Sequence, residues 1–228
     1  MNGALCPGKL NVTGLILARG GSKGILLKNL ATINGRSLLT LALEKMKHSK
    51  KFREIWVSTD SHMIANEATK CGAKVHWRSR MSATDTASSL VALQDFIKGH
   101  KEFDRIGLIQ CTSPFLAVKY LNEAFEHLQQ GYDSVFSVTR EFKLRWKENR
   151  PEKTFVAVNF DPARRPRRQD WDGELVENGM FYFTRRHLIS RGLIQGGRIG
   201  VVQVERKDSL EVDNPADLNL ARYQSGDL

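Results

Sequence analysis

The chain has 228 residues and 25.8 kDa, with 41% hydrophobic and 26% charged residues. A chain this long buries roughly 70–75% of its unfolded surface without disulfide staples, and the composition excludes collagenous, disulfide-rich and largely disordered classes. Thirty-five Lys and Arg against 25 Asp and Glu leave a charge of +10, which points to an anionic partner: nucleotide phosphates, nucleic acid, an acidic sugar or an anionic surface.

In chain order, the first ten residues lack the charged end and apolar run of a secretory signal. Asn11-Val12-Thr13 is a glycosylation triplet, read as accidental because it leads into an apolar strand, Val12 to Ala18, ended by Gly20-Gly21. A helix is expected from Ser37 to Lys47, a strand over Glu54 to Thr59, and a helix from Ser61 to Cys71 stopped by Gly72. A short strand follows at Lys74 to Trp77, then a helix from Thr84 to Lys98, a strand at Arg105 to Gln110, a helix at Tyr120 to Gln130 and a strand at Ser134 to Val138. Strands separated by helices imply right-handed crossovers, hence a doubly wound, mostly parallel α/β sheet. Beyond Arg140, strands are expected at Phe155 to Phe160, Met180 to Phe183 and Ile199 to Glu205, with a helix from Arg185 to Ser190. No repeat or linker divides the chain, so one domain, 1–228, is expected, with an inserted element at about 140–185 that pairs subunits.

Cys6, Cys71 and Cys111 form no CxxC pair and the six histidines show no HExxH spacing, so buried free thiols and no imidazole metal site are expected. No run approaches the ~18 apolar residues of a membrane span.

Ligands of open α/β sheets sit beyond the carboxyl ends of the strands. The first such loop, 17–24, carries three glycines and is followed by Lys28 and Asn29. Its backbone N–H groups, with Arg19, Lys23 and Lys28, favour an anion. It has neither the GK[ST] ending of a P-loop nor a GxGxxG. Further strand ends carry Ser58-Thr59-Asp60, Arg78-Ser79 and Gln110-Cys111-Thr112-Ser113, which suit sugar or base hydrogen bonds and equally suit helix caps. Between Arg140 and Arg168 ten basic residues face four acidic ones, and Arg164, Arg165, Arg167 and Arg168 fall within five positions. The run is either solvated charge, a nuclear import signal or a bidentate carboxylate clamp. Glu211, Asp213 and Asp217 lie near the last strand; two carboxylates at i and i+2 on a strand face one way and could hold Mg²⁺, and ordinary surface acids or caps explain them equally well.

These segments resemble one family. LARGGSKGILLKN (17–29), WVSTD (56–60), QCTSP (110–114), YDSVFSV (132–138), RRPRRQDWDGELVENGMFY (164–182) and SLEVD (209–213) follow, in order, the motifs of the CMP-N-acetylneuraminate synthetases, the animal-type N-acylneuraminate cytidylyltransferases. The resemblance implies a Rossmann-like fold of nucleotidyltransferase type with an inserted dimerisation element. It implies that Arg19, Ser22, Lys23, Lys28 and Asn29 hold the triphosphate and base of CTP, and that Arg78 and Ser88 contact the cytidine. Gln110, Arg165, Arg168, Gln169 and Tyr182 would bind the acidic sugar, and Glu211 and Asp213 would carry Mg²⁺ or another divalent metal. Lys23, Arg165, Arg168, Gln169 and Asp213 are the expected catalytic set. The resemblance further implies a homodimer or homotetramer whose sites borrow from a neighbour. Vertebrate members add a phosphatase-like domain, for which 228 residues leave no room.

Three positions depart from the family pattern: Leu26 for proline, Glu211 for Asp, and Cys111 for a small residue. The expected reaction is attack of the sugar's anomeric hydroxyl on the α-phosphorus of CTP. A 3-deoxy-octulosonate cytidylyltransferase is the nearest alternative, and a basic nucleic-acid-binding module the remote one, since no aromatics interleave Arg164 to Asp170. Nucleic acid is not an expected partner, and no membrane span is expected. The compartment stays open between nucleus and Golgi lumen, where different animal relatives reside.

Overall fold

The computed structural model describes residues 10–21 and 24–227. Its centre is a seven-stranded sheet in the order β11-β7-β10-β6-β1-β4-β5. The strands are β1 (Val12–Leu17), β4 (Glu54–Thr59), β5 (Lys74–Trp77), β6 (Arg105–Ile109), β7 (Ser134–Glu141), β10 (Glu174–Arg185) and β11 (Ile199–Gln203). Two small ribbons stand apart: β2 (Thr32–Ile33) with β3 (Arg36–Ser37), and β8 (Trp146–Asn149) with β9 (Thr154–Ala157). β1 pairs in parallel with both β4 and β6, β4 with β5, and β11 with β7; β10 alone runs antiparallel, wedged between β6 and β7. The expected doubly wound, mostly parallel α/β sheet is therefore present, with one reversed strand.

Period-two alternation sorts β1 between the two faces. Val12 and Ile16 pack with α1 (Leu38–Ser49), α2 (His62–Lys70) and α4 (Val118–Gln129), whereas Leu15 and Leu17 pack with α3 (Ser89–Gly99) and α5 (Arg186–Ser190). Gly14 and Gly107 sit directly opposite each other across β1 and β6. A Cβ at Gly14 would lie 2.4 Å from Met46 and 3.0 Å from Phe52, and one at Gly107 2.7 Å from Phe183 and 2.9 Å from Phe52. The glycine pair thus forms the floor for the Phe52 ring, which also meets Phe125 edge-on at 5.2 Å. A third cluster, with Ile33, Leu38, Val212 and Leu218, seats α6 (Pro215–Gln224).

Several expected boundaries move. The helix expected from Thr84 begins at Ser89, because Ser88 Oγ caps it by accepting from the Val91 N–H at 3.3 Å. β10 is longer than expected: its first half, Glu174 to Glu177, continues the pairing with β7 past an irregularity between Glu177 and Tyr182. The ribbon strand β8 was not anticipated, and β9 ends at Ala157. Glu211 and Asp213 lie on an irregular extended segment and not in a strand. Between them the Val212 N–H donates to the Thr112 carbonyl at 2.8 Å and its side chain is fully buried. In the sequon, Thr13 is buried in the sheet and the Asn11 carboxamide oxygen is buried as well, which agrees with an accidental triplet. No helix among the described residues is long and apolar enough to cross a membrane.

Candidate active site

The strand order reverses around β1, with β4 on one side and β6 on the other, so a crevice opens beyond the carboxyl end of β1. The first loop starts there. The Ala18 N–H donates to the Ser58 carbonyl at 2.9 Å, which prolongs the pairing with β4, and the Gly20 N–H donates to Asp60 Oδ1 at 2.7 Å. At the loop's return, a Cβ on Gly24 would come 2.5 Å from the Asp213 carbonyl oxygen, so only glycine lets this backbone press on the carboxylate segment. Ser22 and Lys23, between these points, lie outside the described residues.

Asn29 ties the crevice together. It is buried, its Nδ2 donates to the Arg19 carbonyl at 3.1 Å, and its Oδ1 accepts from Cys111 Sγ at 3.1 Å. The carboxamide braces two loops against each other, with both ends engaged by the protein. Burial pushes the Cys111 thiol up to about 12, as suits an inert core thiol. Cys71 is likewise free, and Cys6 lies outside the described residues.

Arg19, Arg78, Ser88 and Gln110, distant in sequence, line one cavity of about 130 Å³ with Leu17 and Ala92. Gln110, expected on the sugar side, shares this cavity with the residues expected around cytidine. Arg78 donates from Nε to Ser58 Oγ at 3.2 Å. Burial is the main cause holding its guanidinium below the ordinary value; Asp60 opposes the shift and Arg19 adds to it. It is a desolvated cation beside another cation, which an incoming anion would relieve. Arg19 meanwhile bonds Asp85 Oδ1 at 2.6 Å and the Thr84 carbonyl at 3.3 Å.

Across the crevice, Lys28 Nζ bonds Asp213 Oδ1 at 2.8 Å. Glu211 accepts from Thr112 Oγ1 at 3.3 Å. Burial first, then the Asp213 charge, raises its carboxyl above the ordinary value. Asp217 has the simpler role: its Oδ2 accepts the Asp213 and Asn214 N–H groups at 3.0 and 3.1 Å, closing the capping box of α6. Tyr182 on β10 donates its hydroxyl to Glu177 Oε2 at 3.1 Å, and Gln195 Nε2 donates to Glu177 Oε1 at 2.7 Å. Burial, then Glu177, and lastly Glu211 push the Tyr182 phenol up to about 12. The sequence motifs give neither Glu177 nor Asp85 a role, since their partners are 5 and 66 positions away, where no local pattern points.

The arginine cluster stands elsewhere. Arg167 is held by Asp170 through two bonds, at 2.7 and 3.0 Å, while Arg165 lies over the Phe160 ring at 6.0 Å and Arg168 over Phe142 at 4.9 Å. Arg168 and Gln169 line an open cavity of about 450 Å³ with Arg140, Phe142 and Trp171. Among the described residues this cavity and the crevice cavity share no lining residue. The expected sugar-binding residues are therefore divided within one chain, Gln110 in the crevice and Arg165, Arg168 and Gln169 on the arm between β7 and β10.

A doubly wound sheet whose crevice joins a glycine loop, a buried guanidinium and two carboxylates puts the chain in the class of α/β proteins with a ligand crevice at the switch point of the sheet. The family model for cytidylyltransferases matches residues 13–222, and the chain belongs to that family. It is 45% identical over 217 residues to N-acylneuraminate cytidylyltransferase A of Danio rerio, covering 94% of this chain and 50% of the relative. It is 44% identical over 219 residues to N-acylneuraminate cytidylyltransferase of Oncorhynchus mykiss, covering 95% and 50% respectively. The chain thus spans about half the length of these curated relatives. Among solved structures, a CMP:2-keto-3-deoxy-manno-octonic acid synthetase complexed with CTP superposes with a TM-score of 0.71 at 18% identity, covering 96% of this chain and 99% of the other, a likeness of fold.

Proposed function

We propose that this chain transfers CMP from CTP to an N-acylneuraminate, releasing diphosphate, by in-line attack of the sugar's anomeric hydroxyl on the α-phosphorus. The observation that carries the reading is the single crevice cavity uniting Arg19, Arg78, Ser88 and Gln110 at the switch point of the sheet. The relatives' activity supports it, as does the RRPRRQD run, whose guanidinium groups suit a sugar carboxylate.

In this mechanism cytidine lies between Leu17, Ser88 and Gln110, and the triphosphate follows the first loop. Arg19 exchanges Asp85 for a phosphate oxygen, and Lys28 turns from Asp213 to the same charge. Ser22 and Lys23 take the roles that the family resemblance implies. Fixed cations and backbone N–H groups stabilise the charge that builds up at phosphorus and on departing diphosphate. Arg165 and Arg168 hold the sugar's carboxylate away from the phosphates, and Gln169 and Tyr182 orient the ring.

A divalent cation fits the carboxylate pair. The Glu211 carboxyl is pushed up by burial and by Asp213, and a bound cation would reverse that repulsion. Among the described residues no cluster of three or more His, Cys, Asp or Glu side chains is arranged to hold an ion. Glu211 and Asp213 would therefore supply two ligands, with phosphate oxygens and water completing the shell, a habit of Mg²⁺. When bound, the ion neutralises phosphate charge.

The arm explains the divided sugar residues if a second copy completes each site. Phe155 is 64% exposed and Trp146 52% exposed on the β8–β9 ribbon, as a homodimer or homotetramer interface would require. The direct test is diphosphate release from CTP plus N-acetylneuraminate, with and without Mg²⁺. Release that needs both substrates and the metal is expected; release with 3-deoxy-octulosonate in place of N-acetylneuraminate would transfer the reading to the sister activity.

A further inference from the structure

Trp77, at the end of β5, takes no part in the crevice. It is 50% exposed, and its indole lies against the His62 ring with centroids 4.8 Å apart. A single exposed tryptophan needs no explanation. This one, however, walls an open cavity of about 560 Å³ whose other walls include Asp60, His62, Arg78, Arg80 and Thr84. That volume lies within the ordinary range for small-molecule sites. Among the described residues its walls offer the Trp77 indole, the His62 imidazole packed against it, two guanidinium groups and the Asp60 carboxylate.

We propose that this cavity is a second nucleotide site, which takes a nucleoside 5′-monophosphate with its base on Trp77 and its phosphate between Arg80 and Arg78. An indole face accepts any base, since every base has a π-face, and guanidinium matches phosphate through paired N–H groups. The Asp60 carboxylate accepts hydrogen bonds only, so an exocyclic amine on cytosine, adenine or guanine is favoured over uracil's carbonyl. Among the described residues Arg78 alone lines both this cavity and the crevice. Asp60 also holds the Gly20 N–H at 2.7 Å, and the Thr84 carbonyl accepts from Arg19 at 3.3 Å. A ligand here therefore touches two groups that hold the first loop, and Arg78 besides, so its binding is linked to that of CTP in both directions. The site is independent of the identity of the sugar and of turnover.

Calorimetric titration of the full chain with AMP, with and without saturating CTP, tests this. One AMP per chain that CTP does not displace, with CTP affinity altered by AMP, is the expected result. Trp77→Ala and Arg80→Ala are each expected to weaken AMP roughly tenfold or more. Trp77→Phe keeps a stacking face and should stay within a few-fold of the native chain, while CTP binding reports that each variant is folded. AMP that CTP fully displaces, or an AMP affinity indifferent to both alanine substitutions, overturns the proposal. Failure of the cytidylyltransferase reading would look different: CTP would not bind, while AMP binding still depended on Trp77.

Discussion

Arg19 and Lys28 each carry a protein counter-ion, Asp85 and Asp213, at 2.6 and 2.8 Å. Each ion pair offsets part of the cation's desolvation cost, so under the proposed function a phosphate would replace one anion by another instead of meeting a bare cation. Lys28→Ala should lower kcat/KM for CTP by roughly a hundredfold, the scale of one lost transition-state donor, as steady-state diphosphate release would measure. Within the arginine run, neighbours are not equivalent. Arg167 is neutralised by Asp170, whereas Arg168 lines the arm cavity. Arg168→Ala is expected to lose at least ten times more kcat/KM for N-acetylneuraminate than Arg167→Ala, on the reasoning that an unpaired carboxylate contact is worth about 1.5–3 kcal/mol. Equal losses from the two would argue against the clamp.

Among the elements, β1 and β6 are bound by a packing device that local periodicity does not reveal. Gly14 and Gly107 face each other and leave room for the Phe52 ring, which meets Phe125 edge-on and stacks with Phe183. Gly107→Ala places a Cβ 2.7 Å from Phe183, and the overpacking should cost about 1–3 kcal/mol; urea unfolding would read it as a lower midpoint at unchanged slope. Other elements were legible directly. Glu54–Thr59 and Lys74–Trp77 have the bounds expected of them, because β-branched and aromatic residues flanked by breakers leave few alternatives. β10 was half seen: its buried Met180 to Phe183 stood out, while Glu174 to Glu177, partly exposed and polar, is a strand only because β7 lies beside it.

On the scale of the whole molecule, acid should destabilise the chain at a definite place. His76, packed on Phe96 and His100 and facing Asp95, is held below the ordinary histidine value, chiefly by burial and next by His100, against the opposing pull of Asp95. Unfolding frees His76 to take up a proton, so the neutral ring stabilises the fold fully above about pH 6.5 and this contribution is lost as pH falls below it. Denaturant titrations on either side of that pH should show the step in the native chain and a smaller one in His76→Gln. The alternation of strands and helices, the glycine loop with its cations and the arginine run were all readable from the sequence, because each depends on neighbours within a few positions. The antiparallel sense of β10, the bracing of Asn29 by Cys111, the meeting of Arg19, Arg78, Ser88 and Gln110, and the separation of Arg168 from that crevice were decided only by the tertiary structure. Strand direction leaves no trace in local hydrophobicity, and these groups come from different strands and loops, which only the assembled sheet brings side by side.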